Sequence, residues 1–120
     1  MGFMLFEVAP EASARRVAEA LVLAETGDPN AWRILDENML YRLRTDAEAI
    51  SALVPCALLC LAEQLVYHPR ASVRLDAIRM LSLVYWLDPN RVVDSLGRLM
   101  NDVSRGVARA AENLRQRLLQ

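Results

Sequence analysis

Two stretches of this chain share a pattern 34 residues apart, and that interval restricts the fold more than any single residue does. Leu65-Val66-Tyr67-His68-Pro69-Arg70-Ala71-Ser72-Val73-Arg74-Leu75-Asp76-Ala77 precedes Leu99-Met100-Asn101-Asp102-Val103-Ser104-Arg105-Gly106-Val107-Ala108-Arg109-Ala110-Ala111 by that distance. Each copy has an apolar pair, a short polar turn, a Val, and a small Ala four positions later. Self-similarity at a period of roughly 20–50 residues marks stacked supersecondary units. Upstream of each turn, Leu58, Leu59, Leu65 and Val66 align with Val92, Val93, Leu99 and Met100. Downstream, Val73, Ala77 and Met80 align with Val107, Ala111 and Leu114. The second half therefore reads as helix, turn, helix, twice over. A helical hairpin cannot bury its apolar face alone, so such units must stack.

Composition agrees with an all-α chain. At 120 residues, one domain spanning 1–120 is expected, with a core large enough to stand without disulfides or metals. Hydrophobic residues make up 54%, with 4 Gly and 5 Pro, which excludes a fibrous or disordered chain. No alternating Val/Ile/Thr run lies between turn residues, so no strand is expected. The longest uncharged stretch, Ala49 to Ala62, is too short to cross a bilayer. Met1-Gly2-Phe3-Met4-Leu5-Phe6 lacks a basic n-region and soon meets Glu7, which argues against a secretion signal; Phe6 argues against myristoylation at Gly2. Two Cys provide no disulfide framework, and a cytoplasmic location follows as an expectation.

About six helices are expected. Pro10 marks the start of the first, with Val17, Leu21 and Ala24 on one face and Gly27 as its left-handed terminator. Asp28-Pro29 has the residues to cap a second helix carrying Trp32, Leu35, Met39 and Leu43. Thr45-Asp46-Ala47-Glu48 has capping-box spacing and restarts the helix. The segment from Asp46 to Tyr67 is apolar enough to be buried on most sides, and Pro55 should kink or briefly break it. Helices from Arg70 to Leu87, from Asp88-Pro89 to Met100, and from beyond Asp102 to the C-terminus complete the chain.

From about residue 48 to 120 this pattern resembles the HEAT/armadillo type of helical repeat. The match rests on Leu99-Met100-Asn101-Asp102 with Val107, Ala110 and Ala111, and on Val73-Arg74 in the earlier copy. Two departures are plain: Ala108 stands where the family has Arg, and His68 stands where it has Asp. The resemblance implies a short right-handed α-solenoid of hairpins, with residues 46–120 as repeats and 1–45 as an N-terminal helical cap. It further implies a ladder joining successive repeats, in which Arg74 bonds to Asp102. An orthogonal helical bundle is the alternative architecture.

Candidate chemistry is sparse. His68 is the single histidine and reads as a turn-capping substitute for Asp; it cannot supply a metal cluster. Cys56 and Cys60 share one helix face and read as small buried hydrophobes. Carboxylates such as Asp36-Glu37 lie near helix starts, where they complement the dipole. No catalytic set, cofactor or metal site is expected.

All 14 basic residues are Arg. Residues 1–67 hold 5 Arg against 10 acids, whereas residues 68–120 hold 9 Arg against 5. That asymmetry suits an acidic partner or head-to-tail docking of copies. A nucleic-acid-binding domain using the Arg-rich second half is the alternative function, disfavoured because acids are interspersed. In solenoids of the resembled type, the second helix of each hairpin lines the inner, concave surface. Outward-facing Glu63, Gln64 and Tyr67, then Arg91, Asp94, Arg98 and Asn101, are the candidate partner-binding residues. An aromatic flanked by Arg and amides suits protein contact. The expectation is a non-catalytic interaction module, an adaptor, scaffold or inhibitor-like protein whose partner is another protein. The apolar opening Phe3 to Phe6 needs cover, from the first hairpin or from a second copy in a homodimer.

Overall fold

Helix boundaries are set by side chains that take over unpaired backbone groups. A computed structural model describes the backbone of residues 2–120 and the side chains from Ala12 onward. It contains α1 (Gly2–Glu25), a 3-10 turn (Ala31–Ile34), α2 (Glu37–Thr45), α3 (Ala47–Leu53), α4 (Pro55–Leu65), α5 (Ala71–Leu83), α6 (Pro89–Leu99) and α7 (Arg105–Leu118). No strand occurs among the described residues. Gly27, at φ +100°, ends α1 in the left-handed conformation that glycine adopts without a Cβ clash. Asp36, Asp88 and Ser104 cap α2, α6 and α7 by accepting from the backbone N–H groups of Met39, Arg91 and Val107.

Several boundaries differ from the sequence expectation. α1 starts at Gly2, so Pro10 lies inside it rather than at its first position. The second helix starts at Glu37, not Pro29. Asp28 Oδ1 accepts from Asn30 N at 2.8 Å, holding a tight turn in place of a helix start. The reason is tertiary: Gln64 Nε2 donates to Asp28 O at 2.8 Å, and Gln64 Oε1 accepts from Trp32 N at 3.1 Å. Those two backbone groups would otherwise form the first bond of an α-helix, and the glutamine amide stands between them.

The capping box at Thr45 is also absent. Thr45 Oγ1 donates back to Arg42 O, and Asp46 takes Arg42 Nε at 2.6 Å instead of capping α3. Pro55 splits the apolar segment at Val54, which yields seven α-helices instead of six. α5 stops at Leu83, and Val84 to Leu87 continue in tight turns whose N–H groups reach three residues back.

The 34-residue interval survives as geometry. α4 and α6 begin and end 34 residues apart, and the N-caps Asp36, Arg70 and Ser104 keep the same spacing. Met39, Val73 and Val107 are buried at equivalent places, as are Leu43, Ala77 and Ala111. The spacing thus extends into the first 45 residues. α4 packs against α5 and α6 against α7 within hairpins, while α1 packs on α2. Between hairpins, α1 meets α4 and α5 meets α7. Leu59 and Val66 are buried, yet their counterparts Val93 and Met100 are half-buried. α4 packs against both α1 and α5, whereas α6 packs closely against α7 and only lightly against α5.

One ion pair locks the second hairpin to the third. Arg74 Nε and Nη2 donate to the two oxygens of Asp102 at 2.7 and 2.9 Å. Arg74 Nη1 donates to the carbonyls of His68 and Pro69, at 2.8 and 3.0 Å. Asp102 Oδ1 also accepts from Ser104 N at 2.8 Å. The two side chains are 11% and 8% exposed, so this is a buried pair with nearly all of its capacity satisfied. His68 occupies the matching turn position: its Nδ1 accepts from Arg70 N at 3.1 Å, as Asp102 accepts from Ser104 N. Its ring meets Trp32 edge-on, with centroids 5.5 Å apart.

Two predictions follow from this lock. Replacing Arg74 by Ala leaves Asp102 buried without its cation, and should cost about 3–5 kcal/mol in urea denaturation. An unchanged midpoint would show that the pair does not support the stack. The second concerns pH. Burial, then the charges of Arg70 and Arg74, push the His68 pKa below its ordinary 6.5. A proton on Nδ1 would also displace the Arg70 N–H. Because the unfolded chain then binds the proton more readily, stability is full above about pH 6.5 and falls below it. Hydrogen bonds from Arg74 hold Asp102 below its ordinary 3.8, so its contribution persists until pH drops under that value. The upper step should vanish in His68→Asn, whose side-chain oxygen can take the same N–H, while the lower step remains; urea midpoints between pH 3 and 8 read both.

Candidate functional site

The C-terminal part of α4 faces α6 across a groove. A cleft of about 240 Å³ is lined by Glu63, Tyr67, Arg91, Asp94 and Arg98, together with the edges of Val66 and Ser95. Five of the seven residues singled out in the sequence therefore meet. Both helices are the first of their hairpins, not the second, so these residues do not lie on the row that the resemblance assigns to the inner surface.

Charge within the groove is partly cancelled. Arg91 grips Glu63 through two nitrogens, Nε at 3.0 Å from Oε2 and Nη2 on Oε1. That bond raises the Arg91 pKa further above its ordinary range. Arg91 Nη2 also lies 3.7 Å from Cys60 Sγ. The pair is partly exposed and contributes at most about 1 kcal/mol. Its larger effect is to fix the α6 rim against α4. Arg98 is different. Its guanidinium lies over the Tyr67 ring, 5.9 Å from the centroid, and makes no ion pair with a described residue. Tyr67 is 65% exposed, far more than a core aromatic would be.

The remaining two candidates behave otherwise. Gln64 has its amide committed to Asp28 and Trp32, so it acts as a clip on the first turn. Asn101 sits exposed in the turn after α6 and does not line the cleft.

Beyond Gln64 the groove opens into a larger hollow of about 500 Å³, which shares Glu63 and Tyr67 with the first. Trp32 and Tyr67 border it, with Ala24, Pro29 and Cys60 between them. Arg33 lies over the Trp32 ring at 5.5 Å, repeating the arrangement of Arg98 on Tyr67. Sequence reasoning placed Trp32 in a core stripe and passed over Arg33. The 3-10 turn rotates that stripe, leaving Trp32 half-buried and available to the hollow.

A separate cleft of about 270 Å³ lies between α2 and α5, with Tyr41, Arg44, Arg70 and Asp76 on its walls. There the charges are balanced internally: Arg70 pairs with Glu37, Arg79 with Glu48, and Arg44 stacks on Tyr41 beside Asp76. Burial pushes the Asp76 carboxyl above its ordinary pKa.

Among the described residues no cluster of three or more His, Cys, Asp or Glu side chains could hold a metal ion. No described helix is long and apolar enough to cross a membrane. Phe3 to Phe6, the segment expected to need cover, lies outside the described side chains. Comparison of the chain with family models, with curated proteins and with solved structures gave no match.

The Gln64 clip can be tested directly. Gln64→Ala strips a donor and an acceptor from partly buried backbone groups, and should cost about 1–3 kcal/mol in urea denaturation. Amide exchange at Trp32 should accelerate in the same variant. Unchanged exchange at Trp32 would mean that the amide bridge does not hold the turn.

Proposed function

We propose that this protein is a non-catalytic protein-interaction module, acting as an adaptor, scaffold or inhibitor-like partner through the groove between α4 and α6. The observation that carries the reading is the exposed Tyr67 under Arg98, which makes no ion pair with a described residue, on a rim already braced by Arg91 and Glu63. Aromatic and arginine side chains dominate the energetics of protein interfaces. A large ring held at one face by a guanidinium loses little conformational freedom on binding. The groove offers ring edges and guanidinium N–H groups, a surface suited to contact rather than bond-making.

The scaffold behind the groove is, in the same proposal, a short HEAT-like α-solenoid of the kind the repeat resembles. Three hairpin turns at a common spacing support this reading, as does the Arg74–Asp102 rung between the second and third. The outer face of α7 supports it too. Glu112 and Arg115 stand where α5 has buried Ile78 and Leu81, giving a polar face of the type that closes a stack.

Tyr67→Ala combined with Arg98→Ala tests the placement of the surface. Circular dichroism should be unchanged, because neither side chain is part of the core. Affinity for a native partner should fall by about two orders of magnitude, as expected when two central interface anchors are removed. Undiminished binding by the double variant would remove the groove from consideration.

A further inference from the structure

We infer that two copies of this chain associate through antiparallel α1 helices, the first turns of each filling an apolar groove beside the last turns of the other. This surface shares no residue with the groove between α4 and α6 and leaves that groove open.

The apolar groove lies between α1 and the start of α4. It measures about 250 Å³, and Ala18, Leu21, Val22, Val54 and Ala57 line it. Val22 is 62% exposed there, and Leu53, the neighbour of Val54, is 79% exposed. Bare apolar side chains around an apolar hollow present a surface for a partner to cover.

The first turns of the same helix cannot reach it. α1 runs unbroken from Gly2 to Glu25, and at about 1.5 Å per residue Met4 lies about 27 Å from Val22 along the axis. Val54 shares the groove with Ala18, while Cys60 and Gln64 share the larger hollow with Ala24 and Gly27. The two helices therefore run parallel, and α1 before Ala18 lies beyond the start of α4. A helix of 24 residues thus overreaches a neighbour of 11.

Spacing supplies the match. Arg15, Ala18 and Val22 are exposed and follow one another at intervals of three and four, so they form one stripe along α1. Continued toward Gly2 by the same alternation, the stripe passes through positions Glu11, Val8 and Met4. Alternating steps of three and four are those of a coiled-coil seam. The stripe is distinct from Val17, Ala20, Leu21 and Ala24, which α1 buries in its own fold. Pro10 is not on it.

Laid antiparallel, two such stripes bring Met4 level with Val22, Val8 with Ala18, and Glu11 with Arg15 of the second copy. Each apolar position meets an apolar one and each charge meets its opposite, on both sides of a two-fold axis. Laid parallel in register, Glu11 would meet Glu11 and Arg15 would meet Arg15, and that repulsion selects against the arrangement. The sequence of the stripe is complementary to itself, which makes a second copy its occupant.

Sedimentation equilibrium of the full chain tests this and should give twice the 13.5 kDa of one copy. Arg15→Glu and Glu11→Arg should each weaken self-association about 100-fold, because like charges then face each other at the centre of the seam. Val22→Asp should weaken it as well. Mixing the two charge variants should restore a dimer, as should both changes in one chain. That mixture also controls for folding, since misfolded variants would not pair with each other. A full chain that stays monomeric at its highest soluble concentration would overturn the inference and leave the groove to a different occupant. Charge variants that still pair with themselves, or a mixture that does not pair, would overturn it too.

Discussion

Arg74 and Asp102 form the contact on which the arrangement of the last two hairpins turns. The guanidinium spans three pieces of chain: the carbonyls that close the α4–α5 turn, its own helix, and the carboxylate that shapes the α6–α7 turn. Desolvating two such charges is costly, and the cost is tolerable only where their hydrogen-bonding capacity is met. Here it nearly is. Arg74 directs four N–H bonds to protein oxygens, and Asp102 accepts from Ser104 as well. The pair therefore orients more than it stabilises: a displaced third hairpin would strand both charges. Since Arg91 and Arg98 ride on α6, the shape of the groove depends on this distant lock.

His68 shows how one position can keep a geometric role while changing chemistry. Asp28, His68 and Asp102 each accept the N–H two residues ahead, fixing three turns in the same manner. Asp102, held below its ordinary pKa by hydrogen bonds from Arg74, does so as an anion well into the acid range. The imidazole does so only while Nδ1 is unprotonated, so the middle turn acquires a pH sensitivity near neutrality that the Asp102 turn lacks. The His68 ring also meets Trp32 edge-on, and Trp32 borders the hollow beside the first hairpin.

What the sequence disclosed was local punctuation and burial at a fixed spacing. Gly27, Asp88-Pro89 and the aligned Val73 and Val107 could be read because each acts through its own backbone or its own apolar surface. Asp28-Pro29 could not, although the same dipeptide begins α6. The difference is Gln64, 36 residues from Asp28, whose amide displaces the first helical hydrogen bond. Thr45 failed for a related reason, since Arg42 captured the Asp46 carboxylate within the preceding turn. The groove was legible in five residues because Glu63, Tyr67, Arg91, Asp94 and Arg98 recur at helical spacing on two aligned helices. Trp32 and Arg33 were hidden because their exposure depends on the irregular turn that Gln64 imposes. The spacing also continued into the first 45 residues, where substitution of Leu43 for the small Ala disguised it.

Native-state hydrogen exchange, comparing the natural chain with Arg74→Gln, addresses the central claim most directly. If the buried pair couples the hairpins, amides of α6 and α7 open together with those of α4 and α5 in the natural chain. In the variant they should exchange through a separate, lower-energy opening while α4 keeps its protection. Protection that is unaltered, or lost equally along the whole chain, would contradict the view that this one contact seats the third hairpin.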